Sequence, residues 1–257
     1  VKVYKKMLSL WPYRSDNPDM QEKIVSALDR QRKFDEAMTA REDFTNLFGK
    51  GTEWERKNKD NTKALKKAQE FDEQALIQAA IYHHKRGQDS KSSGIAKNDG
   101  TLLQEASREY ALAAKAYEKY LERFPNTKNS YEIKYSYALC LYYSQKFTEA
   151  AKVFAEVRDS NLDNRFQEEA AFSATKAYEE YINNLVREGK LIDPPLPKAD
   201  EKPASLTPIA YPEPYEMWRK ALDAYTKVLP KSPKTPRLTY KSAELTYRFL
   251  HFEEARK

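Results

Sequence analysis

The chain is poor in cysteine and glycine and contains no long apolar run. Its one cysteine, Cys140, permits no internal disulfide, and its apolar neighbours are typical of a core residue rather than a reactive thiol. No run reaches the roughly 18 apolar residues of a membrane span, so we expect no transmembrane helix. Glycine is limited to six residues, and no alternation of apolar residues is long enough to build a sheet. Alanine, lysine, glutamate, leucine and tyrosine are common instead, a composition that favours helix.

Motifs that carry chemistry are also scarce. Two of the three histidines, His83 and His84, lie side by side near a predicted helix end, where histidine interacts favourably with the helix dipole. No cysteine, histidine or acidic partner stands at metal-ligand spacing, and no glycine-rich phosphate loop or nucleophile motif is present. We therefore predict no enzymatic activity, no cofactor and no metal site.

Charge is abundant but not concentrated. The 45 lysines and arginines and the 39 aspartates and glutamates leave a net charge of +6. Both signs are interspersed along the chain, which predicts solvated helix surfaces. A nucleic-acid-binding protein usually concentrates its basic residues instead.

Two phrases occur three times each. The first, Y-x-K-x-L-x-x-x-P, spans Tyr4–Pro12, Tyr117–Pro125 and Tyr225–Pro233. The second, F-x-E-A, spans Phe34–Ala37, Phe147–Ala150 and Phe252–Ala255. Such internal repetition indicates a protein built from similar units.

An alanine follows an aromatic residue by three positions in five places. These alanines are Ala37, Ala113, Ala150, Ala221 and Ala255. Four residues later, three copies carry a second aromatic, at Tyr117, Phe154 and Tyr225, whereas the first copy carries Arg41. Spacings of three and four put these positions on one helix face, with the alanine where a neighbouring helix approaches closely.

A second helix precedes each such alanine. Before Phe147, the residues Lys134, Tyr137, Ala138 and Leu141 follow the i, i+3, i+4, i+7 spacing of a helix face. Each unit is therefore predicted to be a helix, a tight turn of about three residues and a second helix.

This organisation resembles the tetratricopeptide repeat (TPR), a helix pair of about 34 residues. In the third unit, the small, aromatic, alanine and aromatic positions of the repeat are Ala138, Phe147, Ala150 and Phe154. The chain departs from the repeat where its usual glycine is replaced, at Arg32, Gln145 and Leu250. The resemblance implies an all-α fold: a right-handed superhelical solenoid of about five helix pairs, truncated at both ends.

The predicted map is a single solenoid fragment over residues 1–257. Residues 1–12 match the end of a preceding second helix. The helix pairs fall at about 18–48, 62–123, 129–159, 165–230 and 236–257. Two insertion loops interrupt them: a mobile polar loop at 86–100 and a loop at 191–214 that holds seven of the thirteen prolines. The second loop is expected to be separable from the fold.

A non-catalytic scaffold that binds a protein or peptide is the function that the resemblance implies. In the TPR family, certain positions late in the first helices point into a concave groove. They correspond here to Tyr135, Tyr142, Tyr178, Tyr240 and Tyr247. The alternative for these tyrosines is packing between adjacent helix pairs.

The stretch 116–154, which includes most of the third unit, is similar to TPR proteins of bacterial cell envelopes. These include partners of the Tol–Pal system and of outer-membrane protein assembly, and envelope lipoproteins of gliding-motility machines. The similarity implies a periplasmic or outer-membrane-associated location. Two other functions remain open: a helical accessory region of a larger envelope enzyme, such as a lytic transglycosylase, and a nucleic-acid-binding helical repeat. A repeat that reads one RNA base per unit needs polar residues at the same groove position of every unit. The equivalent positions here are Asp29, Tyr142 and Tyr247, which disfavours that function. The sequence leaves the partner's identity and the oligomeric state open.

Overall fold

The computed structural model describes residues 1–127, 129–198 and 207–256, and all regular structure in these ranges is helical. The all-α prediction is thus confirmed. The chain divides into two compact units, Val1–Ser130 and Tyr131–Lys257. In the described ranges the helices are α1 (Lys2–Leu10), α2 (Asn17–Arg30), α3 (Phe34–Phe48), α4 (Glu53–Lys57), α5 (Thr62–Lys97), α6 (Gly100–Arg123), α7 (Ser130–Tyr143), α8 (Phe147–Arg158), α9 (Gln167–Arg187), α10 (Glu213–Val228), α11 (Thr235–Arg248) and α12 (Phe252–Ala255).

Most of the repeated alanines and all three second aromatics are buried, as their spacing predicts, whereas Phe34 is 55% exposed. Ala37, Ala113 and Ala150 have no exposed surface, and the second aromatics are also in the core, at Tyr117, Phe154 and Tyr225. Where the first copy has Arg41, the guanidinium binds the carboxylate of Asp29 at 2.7 Å instead. The alanine methyl therefore lies where a larger side chain would separate two helices.

The predicted three-residue turns are present and share one backbone geometry. The residues that replace the usual repeat glycine have positive φ, at 57° for Arg32, 66° for Gln145 and 63° for Leu250. The next residue donates its N–H to a carbonyl five positions earlier: Lys33 to Leu28 at 3.0 Å, Lys146 to Leu141 at 2.9 Å and His251 to Thr246 at 2.9 Å. This is the Schellman ending, which normally takes glycine because the left-handed region strains other residues.

The predicted polar loop at 86–100 is wrong. Helix α5 continues to Lys97, and only Asn98 and Asp99 separate it from α6. Asn98 has a left-handed φ of 51°, and the Asp99 side chain accepts from the N–H of Thr101 at 2.8 Å. Lysine, arginine and glutamine are good helix formers, so the polar composition is compatible with a solvated helix face.

Two glycines of this segment mark close helix contact rather than flexibility. A Cβ on Gly87 would stand 3.0 Å from the ring of Tyr110, and a Cβ on Gly94 would stand 2.9 Å from Leu103 Cδ2. Both partners belong to α6. Glycine is therefore used where the backbone of α5 lies directly against α6.

The expectation that the histidine pair lies at a helix end is wrong for the same reason. His83 and His84 lie well inside α5. His83 Nδ1 is 2.7 Å from a carboxylate oxygen of Glu109, and His84 Nδ1 is 3.2 Å from the hydroxyl of Tyr117. Both histidines thus join α5 to α6 through their side chains.

In the C-terminal unit, α9 packs against α8 and α10, and α11 packs against α10 and α12. One apolar cluster lies at the end of this group of helices, built on Ile182, Tyr215, Leu245 and Phe249. Cys140 is also buried in this unit, and burial raises the pKa of its thiol. In the described parts of the chain, no helix combines the length and the apolar character that a membrane crossing requires.

The proline-rich segment at 191–214 is packed at both of its described ends, contrary to the expectation of a separable insertion. Leu191 and Tyr211 pack against the cluster around Phe249. The N–H of Ile209 donates to the carbonyl of Phe249 at 2.9 Å, and His251 Nε2 is 2.8 Å from the carbonyl of Ile209. We call residues 191–198 and 207–212 the strap; residues 199–206 of the predicted loop lie outside the described residues.

Candidate functional site

The five predicted groove tyrosines lie on three helices of the C-terminal unit. Tyr135 and Tyr142 are on α7, Tyr178 is on α9, and Tyr240 and Tyr247 are on α11. No ring contact among the described residues joins two of the five. They do not form one continuous ladder of rings.

Tyr135 and Tyr142 are held by neighbouring aromatic rings. The ring of Tyr135 stacks on Phe166 with centroids 4.4 Å apart and an interplanar angle of 4°. Tyr142 meets Phe147 edge-on at 5.4 Å. Burial, with smaller contributions from Glu180, Tyr143 and Glu179, raises the pKa of Tyr142 to about 12. Packing accounts for Tyr135, and the Tyr142 hydroxyl is half-buried near carboxylates.

The other three tyrosines differ in exposure. Tyr178 is half-buried, and burial raises its pKa. Tyr247 is 36% exposed and meets Phe252 edge-on at 5.1 Å. Tyr240 is 69% exposed, which makes it the most accessible of the five.

A groove that the tyrosine prediction missed lies on the same unit. It encloses about 500 Å³ and is lined by α9, α10, α11 and one strap residue. We call it the C-terminal groove. Its apolar surface comes from Ile182, Val186, Tyr215, Trp218 and Leu245. Its polar and charged rim comes from Glu179, Asn183, Arg187, Asp193, Lys241, Glu244 and Arg248.

Three rim residues each follow a predicted tyrosine by one position. Glu179 follows Tyr178, Lys241 follows Tyr240, and Arg248 follows Tyr247. One residue rotates a helix by about 100°, so an error of one position selects a different face. The spacing 241, 244, 245, 248 was available in the sequence as a signal, but its mixed charge did not distinguish a groove from a solvated face.

The carboxylate of Glu179 is satisfied by two lysines. Lys176 donates to it at 2.6 Å, and Lys241 donates from α11. Burial opposes ionisation, but the hydrogen bonds from both lysines outweigh it and lower the pKa of Glu179. The ammonium of Lys241 also lies 5.7 Å from the ring centroid of Trp218, within cation–π range.

Arg248 organises the other end of the groove. Its guanidinium donates to Glu244 at 2.8 Å and to Asp193 of the strap at 3.2 Å. Burial raises the pKa of the Tyr215 hydroxyl, which donates to Asp193 at 3.2 Å. The rim charges around Glu179 and Arg248 are therefore used in ion pairs, and the apolar floor between them is what a ligand would meet.

Among the described residues that line the C-terminal groove there is no histidine and no cysteine. Within residues 1–127, 129–198 and 207–256, no group of three or more histidine, cysteine, aspartate or glutamate side chains is placed to hold a metal ion.

No protein-family model and no curated protein sequence matches the chain. The functional interpretation therefore depends on the residues of this chain and on their geometry.

Proposed function

We propose that the chain is a non-catalytic scaffold of the TPR type that holds an extended segment of a partner protein. The C-terminal groove carries the proposal. It lies on α9 and α11, the first helices of the last two predicted pairs, which would line the concave face of a TPR superhelix. An apolar floor beneath a rim of paired charges accepts an apolar side chain of a peptide and leaves its backbone to the polar rim.

The experiment is a selection of phage-displayed random peptides on the whole chain, followed by titration of the enriched peptides. Lys241→Glu places a second carboxylate beside that of Glu179 and removes the cation over Trp218. We expect it to weaken binding by at least about tenfold, or roughly 1.4 kcal/mol. The matched control is Lys152→Glu on the exposed side of α8, outside the groove, which should leave the affinity unchanged.

Two results would contradict the proposal. The first is a selection that enriches no peptide. The second is a set of peptides whose affinities respond equally to Lys241→Glu and to Lys152→Glu. Circular dichroism of both variants establishes that the helices are retained.

A bacterial cell-envelope location is proposed on the resemblance of the stretch 116–154 alone. Fractionation of cells that express the full-length protein tests it. Recovery of the protein in the periplasmic or outer-membrane fraction would support this location, and recovery in the cytosol would contradict it.

A further inference from the structure

The first part of the strap lies at one end of the C-terminal groove. There, groove side chains contact three consecutive strap residues. Arg248 Nη1 contacts both carboxylate oxygens of Asp193, at 3.3 and 3.2 Å, and the carbonyl of Pro194 at 3.2 Å. The hydroxyl of Tyr215 lies within donating distance of the Asp193 carboxylate at 3.2 Å and the carbonyl of Ile192 at 3.3 Å. Two groove side chains therefore hold one carboxylate and two backbone carbonyls of three consecutive residues. This is the pattern with which a groove binds an extended peptide.

The exposure of the strap has a period of three. Residues 191, 194 and 197 are half-buried, while the residues between them are exposed, with Ile192 at 83% and Leu196 at 52%. A polyproline II helix has three residues per turn, and proline fixes the backbone angle that this helix requires. The exposure of the run Pro194-Pro195-Leu196-Pro197 has the period that such a helix predicts, with one edge against the protein and two edges toward solvent.

The contacts at 192–194 are not those of a core anchor. Leu191 and Tyr211 supply the apolar packing of the strap. The side chain of Asp193 remains 53% exposed, so its ion pair with Arg248 contributes little to stability. The contacts of Arg248 and Tyr215 instead select an extended backbone that carries an acidic side chain. Such selection is typical of ligand recognition.

We propose that the C-terminal groove binds polyproline II segments in which an acidic residue precedes proline, and that residues 192–198 are such a segment, supplied by the chain itself. This proposal rests on the scaffold function proposed above and specifies its ligand. One guanidinium nitrogen of Arg248, Nη1, reaches both oxygens of the Asp193 carboxylate, while Nε and Nη2 are held by Glu244. A proline-rich ligand loses little conformational entropy on binding. A tethered segment acts at an effective concentration on the order of millimolar, so an external ligand binds by displacing the strap.

The test compares the binding of one probe to chains with and without the native sequence of residues 192–198. The probe is a fluorescein-labelled peptide with the sequence IDPPLPK, and the readout is fluorescence anisotropy. In the altered chain, residues 192–198 are replaced by alternating glycine and serine of equal length, and the anchors Leu191, Ile209 and Tyr211 are kept. We expect the altered chain to bind the probe at least about tenfold more tightly than the unaltered chain.

Three further measurements identify the site. Arg248→Ala in the altered chain should weaken probe binding by at least about tenfold, whereas Arg165→Ala, at an exposed arginine outside the groove, should not change it. A probe with alanine in place of its aspartate should also bind at least about tenfold more weakly. As a milder release of the strap, Asp193→Asn in the otherwise unaltered chain should increase probe affinity. If the glycine–serine chain loses its helical circular dichroism signal, the probe affinity of Asp193→Asn replaces it in the test.

The proposal is overturned if released and unaltered chains bind the probe equally, or if neither binds it at concentrations up to about 1 mM. Binding that survives Arg248→Ala also overturns it. If library-selected peptides still bind and still respond to Lys241→Glu in these cases, the scaffold function stands and only its ligand class is wrong. If those peptides fail too, the scaffold function itself fails.

Discussion

Both units bring their helices together with buried alanines, such as Ala37 and Ala113 in the N-terminal unit, but among the described residues only the N-terminal unit also uses glycine at such a contact. In the N-terminal unit, α5 lies against α6 at Gly87 and Gly94, where the backbone itself meets a ring and a leucine. In the C-terminal unit, α8 and α9 use alanines, such as Ala150 and Ala171, that are fully or almost fully buried. Glycine in a helix interior costs about 1 kcal/mol relative to alanine. The difference teaches that glycine is retained in α5 where a methyl group would crowd the ring of Tyr110 and the side chain of Leu103.

The units also differ in where they place charge. The N-terminal unit encloses charged side chains: Asp72 with Arg123, and Glu109 between His83 and Arg86. Burial raises the pKa of Asp72 against the attraction of Arg123. In the C-terminal unit the paired carboxylates that line the groove are more exposed, at 20% for Glu179 and 31% for Glu244, than Asp72 at 5% and Glu109 at 11%. An evenly mixed sequence of charges is therefore compatible with two different structural uses.

The largest expected effect tests the alanine contacts of the C-terminal unit. Ala150→Glu would place a large, unpaired carboxylate at a position with no exposed surface. We expect it to lower the free energy of unfolding by about 3 kcal/mol or more, measured by thermal and denaturant unfolding. The control is Ala96→Glu at an exposed position of α5, expected to change stability by about 0.5 kcal/mol or less. Equal effects would show that Ala150 is not at a helix contact.

The corresponding test of the N-terminal unit is Gly87→Leu. A Cβ there already stands 3.0 Å from the ring of Tyr110, so a leucine side chain must force α5 and α6 apart. We expect a loss of about 2 kcal/mol in urea unfolding. Gly100→Leu is the control, because nothing lies within 4 Å of its Cβ. If Gly87→Leu is no worse than Gly100→Leu, the contrast between glycine and alanine contacts disappears.

The predicted tyrosines of the C-terminal unit could serve binding or packing, and one double variant separates the two. Neither Tyr142 nor Tyr178 lines the C-terminal groove, so changing both to alanine should lower the melting temperature and leave the affinity for library-selected peptides unchanged. A loss of about 1 kcal/mol of binding free energy for each residue, with the fold retained, would instead assign both rings to binding. Affinity and melting temperature are measured on the same sample. Unchanged affinity together with a lower melting temperature would assign both rings to packing.

The turns should respond alike in both units. Arg32 and Gln145 each adopt positive φ at the end of a first helix. Arg32→Gly and Gln145→Gly should each raise stability by about 0.5 to 1 kcal/mol, because glycine adopts this conformation without a Cβ clash. Chemical denaturation of the two variants measures the gain. A loss in only one unit would show that its side chain contributes a contact that outweighs the strain.

The smallest effect concerns pH and belongs to the N-terminal unit. Burial lowers the pKa of His84 below its ordinary value of 6.5, and its described neighbours are Tyr110, Tyr117 and Gln88. The unfolded chain therefore binds the proton more readily. The contribution to stability is present above the ordinary pKa and is lost as the pH falls toward the folded pKa.

His84→Gln tests this contribution. The melting temperature of the unaltered chain should fall more between about pH 7.5 and pH 5.5 than that of the variant. Identical slopes would show that the acid sensitivity comes from other groups. For each chain, the melting temperature at pH 5.5 is compared with that of the same chain at pH 7.5, because the substitution also alters packing between α5 and α6.

Local patterns predicted helices and turns well, because these depend on spacing along one chain. The alanine and aromatic positions came from spacings of three and four residues, and their burial follows from the helical period. The polar stretch at 86–100 was misjudged because composition cannot tell a solvated helix face from a loop. What decides there is the packing of Gly87 and Gly94 on α6.

The candidate site was harder to predict for a reason of geometry. Three of the five predicted tyrosines, on α9 and α11, precede the groove residues Glu179, Lys241 and Arg248 by one position, whereas the two on α7 lie away from the groove lining. Rotation about a helix axis depends on how that helix packs on its neighbours. A partner helix such as α10, reached only after a long proline-rich connection, sets that rotation.

The sequence by itself determined that this protein is helical, where its tight turns lie and which small residues meet a neighbour, because each of these follows from periodicity and backbone sterics. Tertiary structure alone decided that the proline-rich segment packs on Phe249, that Arg248 holds Asp193, and that Gly87 and Gly94 of α5 lie directly against α6. Those contacts join residues tens of positions apart. No local preference encodes such a pairing, which exists only once the helices have been brought together.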